Sequence, residues 1–353
     1  MSRLSRAQTQ ERNRARVVAA ARAEFAERGF RDAKIDVIAE RAELTRGAVY
    51  SNFPGKRALY LTVLAEDAER AAELPDLEPG RTVRSALAAF ATAWLADLPL
   101  ATERGSGPAP LGADLLPEVL TDAAVRIPFA QLTRLQAVVL GVALERLRPA
   151  PDGRLVRVAE SALTTLHGAS VLAAAAPGFV EPFDVVAGCG RLADVDLRDS
   201  WDPPHLPYVP AARPVDEPWD PPAVLDSLSG EPVRLTGDGV VTVLGLHRVG
   251  AVEEAVRAAP TADVTAVLVS GEPAELLPLA RLVVADLRRC LRPAVPEGAW
   301  PRLRIVLDAR GAVAAATGTS AVSDATEAAV RIAGGRVVAR ADGHGAGHAA
   351  AAR

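Results

Sequence analysis

Nine residues near the start of the chain have types and spacing that could work together: Lys34, Thr45, Arg46, Gly47, Ala48, Tyr50, Ser51, Asn52 and Lys56. Thr45 carries an oxygen that can accept a backbone N–H at the start of a helix. Arg46 can fork onto guanine or a phosphate, and Tyr50, Ser51 and Asn52 can hydrogen-bond to phosphates or base edges. Gly47 and Ala48 are small enough to permit close approach, and Lys34 and Lys56 can neutralise phosphate as point charges. This is a chemistry of groove recognition. Covalent or acid–base chemistry has no comparable set. Histidines at 167, 205, 247, 344 and 348 are scattered, and Cys189 and Cys290 lie far apart in no metal-ligand spacing. No catalytic residue, metal site or cofactor is assigned.

Two short helices must hold these residues. The pattern predicts one over Ile35–Ala42, a turn at Glu43 and Leu44, and a second over Thr45–Asn52 that ends at Phe53-Pro54. Ile35, Ile38, Ala39, Leu44 and Val49 would lock the pair at a fixed angle. Two short helices joined by a tight turn form a helix-turn-helix (about residues 33–53), whose second helix enters the major groove. A longer helix over about Glu11–Arg28 precedes them, with Val17, Val18, Ala21, Phe25 and Ala26 on one face. Residues 1–10 read as a mobile arm. A helix from about Gly55 to Glu73 ties this head to the body of the protein.

The same residues resemble the TetR/AcrR family of bacterial transcriptional regulators. Phe25, the Gly29-Phe30 stop, Ile38-Ala39, the run Leu44 to Tyr50, and the spacing Tyr50-x-x-Phe53-x-x-Lys56-x-x-Leu59 carry the resemblance. It covers roughly residues 11–62. Lys34 stands where the family usually has a capping Thr, and Glu43 where it usually has Gly. Lys34 therefore lacks a capping oxygen worth about 1 kcal/mol, and Glu43 must take a less comfortable backbone conformation. The resemblance implies a three-helix DNA-binding head on an all-helical body that binds a small-molecule effector and dimerises.

Charge is distributed in keeping with that reading. The formal net charge of the 353 residues is −4, yet residues 1–60 hold 13 Lys and Arg against 7 Asp and Glu, leaving 27 against 37 for the rest. A basic head on an acidic body suits a protein that meets phosphate at one end. Lys34, Lys56 and the arm residues Arg3, Arg6, Arg12 and Arg14 are the candidate phosphate contacts. A hydrophobic share of 49% with 24% charged residues is globular. Two cysteines exclude a disulfide framework and fit a reducing compartment. With no apolar signal core or uninterrupted membrane-spanning run, the expectation is a cytoplasmic protein with no membrane partner.

The fold expected is multidomain: an all-α regulator followed by an α/β unit. Its parts are a DNA-binding domain over 1–55, a helical ligand-binding and dimerisation domain over 56–195, a Pro-rich linker over 196–222, an α/β domain over 223–342 and a disordered tail over 343–353. Body helices are expected near 80–98, 113–124, 128–147, 154–176 and 181–193, with a loop over 101–112. The last two would form a homodimer interface. Phe90, Trp94, Phe129 and His167 are the candidate effector-lining residues. The linker repeats Trp-Asp-Pro-Pro at 201–204 and 219–222, and its Trp201, Tyr208 and Trp219 should pack against something.

From residue 223, strand and helix patterns alternate and end in a hairpin around Gly334-Gly335, implying a partly parallel sheet with antiparallel strands added. This order resembles the thioredoxin-like fold. The segment Leu246–Glu254, where a redoxin would carry its dithiol, holds no Cys, and exchange requires a thiolate. The expected function is thus a ligand-responsive homodimeric repressor that binds a double-stranded DNA operator and is not an enzyme. Its C-terminal unit is expected to be a redox-dead sensor or partner-binding module; a fused thiol oxidoreductase is the alternative.

Overall fold

The computed structural model describes residues 5–71, 77–96, 98, 111–112, 114–148, 153–176, 178–204 and 209–352. Arg3, the side chain of Arg6, most of the loop expected over 101–112, His205 and Tyr208 lie outside the described residues.

The chain opens with α1 (Arg6–Asp32), α2 (Ile35–Arg41), α3 (Arg46–Tyr50) and α4 (Lys56–Arg70). Ser5 and Gln8 start α1 with a capping box, so the helix begins before Glu11, within the segment expected as a mobile arm. Near its end Gly29 breaks the helical path at φ 71°, and a Cβ there would meet the Asp114 carboxylate at 3.1 Å. That carboxylate accepts the N–H of Phe30 at 2.7 Å, which pins the turn. Every residue from Ala58 to Ala65 in α4 is buried. A helix buried all round must be enclosed by partners, and α4 packs against α1 and against a helix far along the chain.

The helical body comprises α5 (Val83–Leu95), α6 (Leu115–Thr121), α7 (Ala123–Glu145), α8 (Val156–Ala175) and α9 (Pro182–Arg191). By length and composition α7 could cross a bilayer, and 61% of its apolar window is buried inside the protein. Gln131, Arg134 and Gln136 interrupt it, which is why no continuous apolar run is visible in the sequence. Here it is a core helix that packs against α6 and α8.

The rest builds a mixed sheet from β1 (Arg213–Pro218), the hairpin β2 (Val224–Asp226) and β3 (Glu231–Val233), β4 (Gly239–Gly245), α10 (Val252–Ala258), β5 (Asp263–Val269), α11 (Pro273–Leu291), β6 (Leu303–Leu307), α12 (Ala312–Ala316), β7 (Glu327–Ala333), β8 (Arg336–Asp342) and α13 (Ala346–Ala351). The six-stranded order is β1-β8-β7-β4-β5-β6, and β2 and β3 pair separately. Strands β4, β5 and β6 run parallel; β7, β8 and β1 add antiparallel pairs. The parallel strands are nearly continuous apolar runs, as burial on both faces requires.

Three expectations are corrected. The stretch 196–222 is not simply a linker: residues 213–218 form the edge strand β1, where Pro214 and Pro218 are tolerated because an edge strand can leave N–H positions unpaired. Trp219 is buried and its indole N–H donates to the Leu235 carbonyl. The segment 343–353 is not a disordered tail. In α13, Ala346 and Ala350 pack against Ala329 and Ala341 of the sheet, and the Gly345 N–H donates to buried Glu327 at 2.6 Å. Small residues here permit close packing rather than disorder.

The third correction concerns the α/β unit, which is not a tethered module. Its helix α11 packs against α4, α5 and α7, and a single hydrophobic core runs from Val17 through Leu87 and Leu140 to Leu287 and Ala351. Polar contacts reinforce the seam. Arg57 donates to Glu275 at 2.8 and 3.0 Å, Arg281 pairs with Glu69 at 2.6 Å, and the buried Gln136 amide donates to the Val283 carbonyl at 3.2 Å. Around α10, Arg154 links Glu253 (2.6 Å) to Asp199 (2.5 Å), while Arg257 pairs with Glu145 at 2.6 Å.

Candidate nucleic-acid interface

The turn between α2 and α3 is tight. Leu44 N–H donates to the Ala39 carbonyl at 2.9 Å, and Glu43 sits at φ 51°. That is the left-handed region, which costs a non-glycine residue energy. Arg16 reaches the Glu43 carboxylate at 2.6 Å and offsets its charge. Val49 packs inward with Ile38, Ala39 and Phe53, all at most 4% exposed. This fixes which face of α3 points out.

That outward face carries Thr45, Arg46, Gly47, Tyr50 and Ser51, all exposed, with Ala48 and Asn52 half-buried. Thr45 Oγ1 accepts the Ala48 N–H at 3.2 Å and caps α3. The Arg46 guanidinium lies 3.3 Å from Asp36 and 5.6 Å from the Tyr50 ring centre. Ser51 Oγ and Asn52 Nδ2 both donate to the Ala48 carbonyl, at 2.9 and 2.8 Å. These two donors thus close the C-terminal turn of α3; Ser51 Oγ also accepts from Asn52 Nδ2 at 3.4 Å, and the Asn52 side-chain oxygen is left to accept.

Lys34 and Lys56 part company. Lys34 is exposed at the N-terminus of α2, where no side chain caps the helix. Its backbone N–H donates instead to Glu24 at 3.3 Å. Glu24 is fully buried, and Arg41 and Arg28 approach its carboxylate at 3.3 and 3.4 Å. Lys56 turns inward. Its ammonium donates to the carbonyls of Phe30 (2.7 Å), Arg31 (3.1 Å) and Ala33 (3.1 Å) and lies 4.6 Å from the Phe30 ring centre. Three protons on three carbonyls leave none for a phosphate. Arg14 is likewise committed: it lies over the Phe53 ring at 4.4 Å and donates to the Asn52 carbonyl. Sequence reasoning missed Glu24 and Asp36 as braces of the two helices. Glu24 carried a signal, because a lone acid on the apolar face of α1 needs a partner to be buried.

The four candidate effector residues meet in the body. His167 of α8 stacks edge-on to Trp94 of α5 with ring centres 4.9 Å apart and lies 6.1 Å from Phe129 of α7; Phe90 is 6.2 Å from Trp94. Trp94 Nε1 donates to Ser170 Oγ at 3.0 Å. Burial lowers the pKa of His167, and its Nε2 finds no hydrogen-bond partner among the described residues. Both cysteines are buried, and burial pushes the Cys189 thiol up to about 11. No group of three His, Cys, Asp or Glu that could hold a metal occurs among the described residues.

Residues 17–63 match the family model described as "Bacterial regulatory proteins, tetR family". No curated protein matches the chain. Two solved structures from Rhodococcus sp. RHA1 are similar to part of it. One, a TetR transcriptional regulator, is 17% identical, covers 53% of this chain and 95% of its own, and aligns with a TM-score of 0.35. The other, a TetR-like transcriptional regulator, is 20% identical, covers 54% and 96%, and aligns with a TM-score of 0.32.

Proposed function

We propose, from the premise that residues 17–63 make this chain a TetR-family transcriptional regulator, that it acts as a ligand-responsive homodimeric repressor of a double-stranded DNA operator. The observation that carries the reading is the Thr45-capped helix α3, held rigidly by Val49 and Phe53, whose exposed face offers Arg46, Gly47, Tyr50 and Ser51. In this reading Arg46 leaves Asp36 for a guanine or phosphate, Tyr50 and Ser51 contact the backbone, and Lys34 neutralises a phosphate.

Exposed apolar residues on α8, on α9 and between them support a second protomer. Val171, Leu172, Phe179 and Phe183 are 46, 41, 71 and 83% exposed. Such a patch on a soluble surface marks an interaction site, and two heads are needed to read two half-sites. The Trp94–Phe129–His167 cluster, with the unpartnered Nε2, is the proposed effector contact in the helical body.

We read residues 213–351 as a thioredoxin-like module without redox chemistry. The parallel β4-β5-β6 core and the β7–β8 hairpin support that reading. His247, Arg248, Val249 and Gly250 occupy the place of a dithiol after β4. The test of the main reading is a gel shift on the gene's own upstream region. Arg46→Ala and Tyr50→Ala should each weaken binding by about tenfold. Wild-type affinity in both variants would remove α3 from the interface.

A further inference from the structure

A cavity of about 720 Å³ lies where the regulator's helices meet the α/β unit. Its walls are the C-terminal end of α4, one face of α11, the β2–β3 hairpin and the loop after β6. It therefore opens at the carboxyl end of a parallel strand, the place where α/β sheets usually bind ligands. Its volume is that of a small-molecule site. None of its lining residues belongs to the aromatic cluster around His167.

Its charge is one-sided. Arg281, Arg288 and Arg289 of α11 and Arg292 just past its end line the cavity, at a spacing that keeps all four on one side, and Arg310 joins them from the loop after β6. Among the described lining residues the acids are Glu69 and Asp308. Glu69 is held by Arg281 through two bonds, at 2.6 and 3.1 Å. Asp308 is turned onto the N–H groups of Ala312, Val313 and Ala314 at 2.9, 2.8 and 2.9 Å. Both negative charges are thus engaged locally. Arg281 is spent on Glu69, and Arg289 donates to the Ala93 carbonyl at 2.9 Å. Arg288 and Arg310 are the guanidinium groups that face the open volume.

Arg288 occupies a shaped position. Its guanidinium lies against Gly230, at φ 79°, where a Cβ would overlap it. It makes no hydrogen bond or ion pair among the described residues. The remaining walls are apolar, with Leu225, Val306 and Val313 prominent. Excess guanidinium charge against apolar walls calls for a partner that supplies an anion and covers carbon surface together.

We infer that this cavity binds a water-soluble organic anion, a carboxylate or phosphate ester on an apolar body, with Arg288 as its principal anchor. Bound there, the ligand touches α4, the helix that continues directly from the DNA-reading pair.

The test is a fluorescence titration of the full-length protein with 1-anilinonaphthalene-8-sulfonate, an aromatic anion, alongside the neutral dye Nile red. Wild type should show a saturable site for the anion. Arg288→Glu should weaken it by about tenfold or more, and Leu225→Glu, a change at the half-exposed rim, should do the same. Nile red affinity should not change in Arg288→Glu. If Arg288→Glu fails to fold, the rim variant decides alone through the anionic dye. Anionic-dye affinity at the wild-type level in the folded variants, or an equal loss of Nile red affinity in Arg288→Glu, would overturn the assignment. The titration involves no DNA, so its outcome is independent of the gel shift.

Discussion

Lys34 and Lys56 carry the same charge in different surroundings, and the difference sets what each can do. Lys56 closes the end of α1 by holding three carbonyls. Removing it strands those acceptors, so Lys56→Ala should cost about 2 kcal/mol of stability and leave the salt dependence of DNA binding unchanged. Lys34→Ala should change stability by less than about 0.5 kcal/mol. In the proposed dimer it should instead reduce the log–log salt slope by about 2, at roughly 0.9 per phosphate contact. With Lys34, Arg46 and exposed Arg12 as the main candidates, the wild-type slope should be about −5. Urea melts and salt-dependent gel shifts measure the two quantities separately, and a slope lost with Lys56 would return that residue to the phosphate-contact set. The outward face of α3 was legible from sequence because its periodicity is local. The fate of Lys56 was not, because its partners lie on another helix and are backbone atoms common to every residue.

At the scale of elements, the readable ones carried periodic apolar patterns: α1, α4, α7 and the strands β4, β5 and β6. Among the elements that escaped, with the β2–β3 hairpin and α12, are β1 and α13. Prolines disguised β1 as a connector, and only its pairing with β8 makes it a strand. Alanine and glycine gave α13 no amphipathic signal, although their small size is what permits the close packing: a Cβ placed on Gly347 would already lie 3.4 Å from Ala255 and 3.5 Å from Thr242. The helix has three attachments. Its alanines cover Ala329 and Ala341, Arg331 donates to the Ala351 carbonyl at 3.0 Å, and the preceding Gly345 N–H is bound by Glu327. Removing residues 343–353 should therefore lower stability by at least about 2 kcal/mol and the thermal midpoint by about 4 °C or more. A melting curve that superimposes on the full-length one would show that α13 contributes nothing to the fold.

At the scale of the whole molecule, the seam between α11 and the N-terminal helices decides what can be separated. Composition placed a domain boundary in the Pro-rich stretch, yet Leu276, Leu279, Val283 and Leu287 of α11 belong to the same core as Leu59, Val63, Phe90 and Leu140. A chain cut after Val195 should leave α4 and α7 with bare apolar faces and collect in the insoluble fraction. A soluble dimer of that fragment that binds DNA like the full protein would show that the seam is dispensable. The same seam sets an order of events in time. Helix α4 ends at Arg70 and the helix that covers it ends at Leu291. At about 5–20 residues per second of synthesis, α4 waits about 10–40 s for its cover. During that interval the face of α4 that α11 covers stands open, and the N-terminal helices reach their final packing only after residue 291 has been made.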